Sequence, residues 1–93
     1  MINSFKNKET EKIFSSEFSK KFPNNIQHRA LHRLEMLNNA ANMDDLKIPP
    51  SNRLEALSGN RQGQFSIRVN DKYRVCFEWI NNCAENVELV DYH

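Results

Sequence analysis

Cysteine is nearly absent from this chain, and the two that occur, Cys76 and Cys83, are too few and too poorly spaced to hold zinc. Nothing about them implies an oxidising compartment. Cys76 reads as an ordinary packed strand residue and Cys83 as a turn residue. Long apolar runs are also missing: 27% of the residues are charged, and no stretch could cross a bilayer. The opening MINSFKNKETEK is polar almost from its first residue, so no secretion segment is expected and the location expected is cytoplasmic, with no membrane partner. Charge of one sign is lacking too. A net charge of +1 argues against indiscriminate coating of nucleic acid but leaves room for a localised phosphate site. With 93 residues, the chain is expected to form one domain, 1–93, around a single small core.

Glycine is equally scarce, and both glycines, Gly59 and Gly63, fall in residues 53–77, RLEALSGNRQGQFSIRVNDKYRVCF. That stretch also concentrates Arg53, Arg61, Arg68, Lys72 and Arg74 against only Glu55 and Asp71. Phe65, Ile67 and Val69 alternate with Ser66 and Arg68, and Tyr73, Val75, Phe77 and Trp79 alternate with Arg74, Cys76 and Glu78. This period of two predicts two half-buried strands. Parity selects their register. A loop of Asn70 and Asp71 alone would mix apolar and charged residues on each face, whereas a loop of Asn70, Asp71 and Lys72 pairs Val69 with Tyr73, Ile67 with Val75 and Phe65 with Phe77. Arg68 then faces Arg74 on the polar side. Like charges facing across a ladder are destabilising unless an acid or anion lies between them, and a phosphate fits that description. The alternative is that the two arginines solvate the outer face, bridged by Glu78. The SGNRQG segment exposes backbone N–H groups in a glycine-bracketed turn and presents Arg61 beside the strands, although a plain connecting turn has the same composition.

Upstream, residues 1–5 are a candidate short first strand with Ile2 and Phe5 as its apolar content. Asn7 is placed to cap a first helix running to about residue 20, with Ile13, Phe14 and Phe18, and Phe22 one turn on, along a core stripe. Pro23 breaks the pattern, and either Asn24 or Asn25 is placed to cap a second helix over about residues 25–39, burying Ile26, Ala30, Leu31, Leu34 and Leu37. His28 and His32 share a helix face, but no Glu follows His28 and no third ligand is evident, so with Arg29 and Arg33 they read as a solvated basic face. Residues 41–52 form a connector in which Met43, Leu46 and Ile48 tuck against the core, and Leu54 faces inward from a first sheet strand. Residues 80–84 read as a turn and 86–92 as the last strand. There parity conflicts: Val87 and Leu89 inward bring Asp91 with them, and Val90 inward brings Tyr92, so a bulge or an early departure from the sheet is required. The fold class expected is α+β, an N-terminal helical hairpin packed on a small twisted antiparallel sheet.

This arrangement, with RLEALSGNRQGQFSIRVNDKYRVCFEW and the terminal VELVDYH, resembles the HigB toxins of the RelE/ParE superfamily, and the likeness runs from INSFKNK to the closing DYH. The resemblance implies a ribosome-dependent mRNA interferase, the toxic half of a toxin–antitoxin pair, cutting messenger RNA in the A site of the 70S ribosome without metal or other cofactor. It also implies a helix-turn-helix antitoxin of the HigA type, with operator DNA bound only through the antitoxin complex. Family active-site positions carry over to Arg61, Arg74, Tyr92 and His93. Ser58 departs from the pattern, since many relatives have lysine there, and some carry histidine where Glu55 stands. Glu55 reads as a salt-bridge partner of Arg53 or Arg61 in preference to a base.

Metal-free RNA cleavage needs a group to take the 2′-hydroxyl proton, one to protonate the leaving 5′-oxygen, and cations for the phosphorane-like transition state. His93 is the natural proton-transfer group, because an imidazole titrates near pH ~6.5; a frayed last residue is the plain alternative. Tyr92 either stacks on a base and orients a phosphate or simply covers the sheet edge. Arg74 is placed against the scissile phosphate. Arg61 and Arg68 hold flanking phosphates, Arg68 by geometry alone, and Arg53 and Lys72 complete the phosphate-binding set. Two rival readings share this scaffold: a ParE-like poison of DNA gyrase, and a non-catalytic protein whose basic face docks an acidic antitoxin segment.

Overall fold

The computed structural model describes residues 1–92. Helix α1 spans Lys8–Phe14, and the Asn7 side chain accepts the Thr10 N–H at 2.9 Å, the expected cap. The helix stops well short of residue 20. Ser16 takes a left-handed conformation (φ 63), its N–H donates to the Ile13 carbonyl at 3.0 Å, and the Glu17 N–H donates to the Lys12 carbonyl at 2.8 Å. This pair of crossing bonds is the Schellman closure, with serine in the position glycine usually fills. The early stop corrects the placement of Phe18, which leaves the core stripe and is 59% exposed. Ser19 is buried in its place, its hydroxyl donating to Glu9 and its N–H to the Gln27 side chain.

Helix α2 spans Asn24–Asn39 and starts directly after Pro23, without a side-chain cap. The expectation that an asparagine caps it is therefore corrected. Gln27 does the comparable work, its amide donating to the carbonyls of Ser19 and Phe22 and fastening the incoming loop to the helix. Ile26, Ala30, Leu34 and Leu37 are buried as expected, with Leu31 partly so. In the connector a short 3₁₀ turn, Met43–Lys47, is closed by a reciprocal Asn42–Asp45 capping box and buries Leu46. Ile48 is 76% exposed. The chain switches from helical to extended at that residue (φ -120, ψ 125), which turns its side chain away from the side Leu46 occupies.

Four antiparallel strands follow in the order β1 (Glu55–Ala56), β2 (Phe65–Arg68), β3 (Tyr73–Ile80) and β4 (Cys83–Asp91). The β2–β3 register is the one parity selects, with Phe65 opposite Phe77, Ile67 opposite Val75 and Arg68 opposite Arg74. Asn70 fixes the loop, its side-chain oxygen accepting the N–H groups of Lys72 and Tyr73 at 2.9 and 2.7 Å. Beyond Ile80 the chain reverses through Asn81 and Asn82, both at positive φ (52 and 62), as a two-residue hairpin turn requires. Cys83 is therefore the first residue of β4, paired with Ile80, and not part of the turn. A bulge shifts the register between Cys76 and Glu78, with Asn86 at φ 52, and brings Ala84 to the same side as Val87 and Leu89; the parity conflict farther on is met by the end of the sheet, where Asp91 keeps the inward row opposite Tyr73. Ala84, Val87 and Leu89 consequently all face inward, while Asp91 is exposed at the end of the sheet.

At the N-terminus, Ile2 and Phe5 make isolated parallel bridges to Ala84 and Val87 and do not form a full strand. These bridges lay residues 2–6 along the outer edge of β4. There the Leu89 N–H donates to the buried Thr10 hydroxyl at 3.0 Å, tying the edge to α1. The helices and the inward residues of all the longer strands share one core around Phe77 and Leu34.

Candidate phosphate-binding face

Because successive strand residues point to opposite sides, the register that buries Ile67, Val75 and Phe77 places Ser66, Arg68, Arg74 and Cys76 together on the outer face. Arg74 is the most firmly held of these. Its Nε donates to the buried Ser66 hydroxyl at 2.7 Å, and its Nη2 donates to the Arg53 carbonyl at 2.6 Å and lies 3.9 Å from the Glu55 carboxylate. Only 11% of the side chain is exposed. Arg53 closes the 3₁₀ turn Pro50–Asn52 in a left-handed conformation, so its carbonyl enters the cluster. On the other flank the Tyr92 ring centre lies 6.0 Å from the Arg74 guanidinium carbon, and the Tyr92 N–H donates to the Lys72 carbonyl at 2.8 Å. That bond seats the chain end against the β2–β3 loop.

Arg61 approaches from the opposite sheet edge. It ends the 3₁₀ turn Gly59–Arg61, in which Gly59 takes φ 63 and Gly63, two residues on, takes φ 93, backbone conformations that a side chain would strain. From there its Nη1 reaches over the sheet to donate to Gln64 at 3.0 Å and to Glu88 of β4 at 3.2 Å. The Glu88 side chain is 15% exposed and also lies 3.9 Å from the Lys6 ammonium. Cys76, paired with Glu88 across the ladder, is buried. Burial pushes its thiol pKa up, against the downward pull of Arg61, so it stays a neutral thiol and offers no nucleophile.

An open hollow of about 330 Å³ adjoins Arg61 and Glu88 beside the C-terminal part of β4, with Phe22 and Tyr73 among its walls. The two rings meet edge to face with centroids 6.0 Å apart. Both rings belong to the buried core, so the hollow borders the core edge beside the charged cluster.

Arg61, Arg74 and Tyr92 are thus brought to one face. The other arginines and Lys72 are placed differently. Arg68 faces Arg74 as expected, but its guanidinium pairs with Asp71 in the adjoining loop. Lys72 lies at the sheet end, 3.6 Å from Asp91. Arg53 contributes its carbonyl, while its side chain is exposed. The acids beside Arg68 and Arg74 are Asp71 and Glu55. Glu78 accepts instead from the Asn86 amide at 3.4 Å, and Glu55 turns to Arg74 instead of Arg53 or Arg61. His93 lies outside the described residues.

Ser66 and Glu88 escaped the reading of the sequence. Ser66 was legible from parity, since it shares a face with Arg68 and Arg74. Glu88 was hidden because the alternation of residues 86–92 allowed either Val87 and Leu89 or Val90 to face inward, and only the first turns Glu88 outward. Among the described residues no group of three or more His, Cys, Asp and Glu side chains could hold a metal ion, and His28 and His32 are exposed. Among the described residues no helix is long and apolar enough to cross a membrane.

The family profile described as "RelE-like toxin of type II toxin-antitoxin system HigB" matches residues 3–93. The chain is 39% identical over 90 residues to Toxin HigB-1 of Vibrio cholerae serotype O1, covering 96% of this chain and 95% of that protein. It is 31% identical over 93 residues to Endoribonuclease HigB of Proteus vulgaris, covering 100% of both. Among solved structures, the YoeB-YefM complex from Staphylococcus aureus contains a chain that matches with a TM-score of 0.63 at 19% identity, covering 100% of this chain and 98% of that one. A YafQ mutant from E. coli matches with a TM-score of 0.62 at 10% identity, covering 98% and 93%. At such identities these two structures speak for the fold alone.

Proposed function

Since the chain belongs to the HigB-like family of RelE-like toxins of type II toxin–antitoxin systems, we propose that it is a cytoplasmic endoribonuclease that cuts messenger RNA in the ribosomal A site. The observation that carries this reading is the convergence of Arg61, Arg74 and Tyr92 on one outer sheet face, over Ser66 and Glu88. A HigA-type helix-turn-helix antitoxin neutralises the enzyme, and operator DNA is reached only through that complex.

In the proposed reaction the 2′-oxygen attacks the adjacent phosphorus and gives up its proton, and the 5′-oxygen leaves as it gains one. The products are a 2′,3′-cyclic phosphate and a 5′-hydroxyl. Two negative charges build up on the non-bridging oxygens of the transition state. A guanidinium anchored at three points meets them without reorganising, which is the electrostatic contribution assigned to Arg74. Arg61 holds a flanking phosphate, and its tether to Glu88 fixes its reach across the sheet. Tyr92 orients a base or phosphate beside Arg74. His93, the next residue, is assigned the proton transfers, by its chemistry and by the match to DYH. Arg68, Arg53 and Lys72 act on phosphates farther along the strand. So small a face holds few proton-transfer groups and cannot itself bend the message into line. Alignment is therefore assigned to the ribosome, and free RNA is cut slowly or not at all.

The test uses purified 70S ribosomes programmed with a defined message. Fragments ending within the A-site codon, with free message left intact and gyrase supercoiling unaltered, are expected. Equal cutting of free message would remove the ribosome from the reading. Intact message together with blocked supercoiling would replace the nuclease with a gyrase poison.

A further inference from the structure

The basic face of α2 plays no part in the reaction above, yet it carries an arrangement that costs stability. Arg29 and Arg33 stand four residues apart on one helix face, a like-charged spacing that weakens a helix. No carboxylate pairs with either among the described residues. Arg33 is partly buried, its Nε donating to the carbonyl of Arg68 at 2.9 Å, so a third arginine is brought alongside. Burial and then the charges of Arg29 and Arg68 hold the Arg33 guanidinium below the usual arginine range. Among the described residues the ion pair these three arginines make is that of Arg68 with Asp71. Arg68 in turn faces Arg74 across the β2–β3 ladder. The ridge and the proposed cleavage face are continuous through that pair.

Resting on the nuclease reading above, we infer that the Arg29–Arg33–Arg68 ridge is a track for the sugar–phosphate backbone of the substrate RNA leaving the cleavage face. Two observations favour a single RNA strand over an acidic peptide as the occupant. The ridge is built of guanidiniums, which grip phosphate oxygens in a planar fork, and it runs without a break into the face assigned to the scissile phosphate. The exposed imidazoles of His28 and His32 beside it offer flat surfaces for unpaired bases.

The experiment compares uncleavable 2′-O-methyl RNAs of about four and about twelve nucleotides, the shorter spanning only the cleavage face, as probes of the intact protein and of Arg29→Gln. Arg29 is exposed and has no ion-pair or side-chain hydrogen-bond partner among the described residues, so the variant keeps its fold. The twelve-nucleotide RNA is expected to bind the parent protein more tightly. In Arg29→Gln its binding weakens, the slope of log K against log salt falls by about 0.7, and the shorter RNA is unaffected. Arg29→Lys restores most of the slope. An unchanged slope for the longer RNA would overturn the track. So would an unchanged slope accompanied by weaker pelleting with ribosomes, which would assign the ridge to the ribosome itself. If the parent protein bound neither RNA, the ridge would fall while the nuclease reading, which rests on cleavage of ribosome-bound message, would stand or fall by that separate test; tight binding of both RNAs by parent and variant alike would likewise sink the ridge only.

Discussion

Strands β2 and β3 present Phe65, Ile67, Val75 and Phe77 to the helices and Ser66, Arg68, Arg74 and Cys76 to the opposite side, so adjacent residues of the same backbone live in opposite environments. The inner face is dry and interdigitated, with Ile67, Val75 and Phe77 all at 0% exposure. The outer face holds its cations by hydrogen bonds to a serine, a main-chain carbonyl and a half-buried carboxylate. Stability therefore comes from one side of the sheet. The other side is free to collect like charges whose mutual repulsion an inner-face reserve must offset.

Substitutions on the two faces should separate these roles. The largest effect is expected from Phe77→Ala, which empties the centre of the core and lowers the unfolding free energy by about 3–5 kcal/mol; chemical denaturation reads it, and a loss below about 1 kcal/mol would mean the inner face is not the source of stability. Thr10→Val keeps the shape but leaves the buried Leu89 N–H without its acceptor, and is expected to cost about 1–3 kcal/mol in the same measurement. On the outer face, Glu88→Gln should change stability by less than about 1 kcal/mol. It should nevertheless alter cleavage, because Arg61 loses its charged anchor; altered stability with unaltered cleavage would reverse the assignment of the two faces.

The smallest effect is expected far from both faces. The Ser19 hydroxyl beside Glu9 holds that carboxyl below the ordinary carboxylate value. A carboxyl with a depressed folded pKa stabilises the fold above its unfolded pKa, and that contribution disappears as pH falls through the folded value. Ser19→Ala should therefore flatten the acid limb of the stability–pH curve slightly while leaving the neutral limb parallel to the parent. An unchanged acid limb would show that the bond does not outlast solvent competition.

The same contrast explains how much of the molecule was legible in the sequence. The β2–β3 register followed from parity because burying one face makes a one-residue slip prohibitive, and Asn7 announced its helix by a local hydrogen bond. Features set by single left-handed residues were not legible. Ser16 ends α1 without glycine, and Asn86 starts the bulge in a chain where asparagine is too frequent for its tolerance of positive φ to mark one position. Through Ser16 the exposure of Phe18 went unread, and the open parity of residues 86–92 left the outward position of Glu88 unread. Of the candidate site, Arg61, Arg74 and Tyr92 were named through resemblance to a family, and the structure brings them to one face. Ser66 needed only the parity already in hand. Partners such as the Arg53 carbonyl have no signature, because they depend on a backbone conformation far away in sequence.

The central claim, that the outer face serves the reaction and not the fold, is tested most directly by single-turnover cleavage of ribosome-bound message with Arg74→Ala, measured alongside its unfolding curve and antitoxin binding. The rate is expected to fall at least ~100-fold, with antitoxin affinity and the circular dichroism spectrum unchanged. A rate that tracks only the folded fraction of the variant would contradict it.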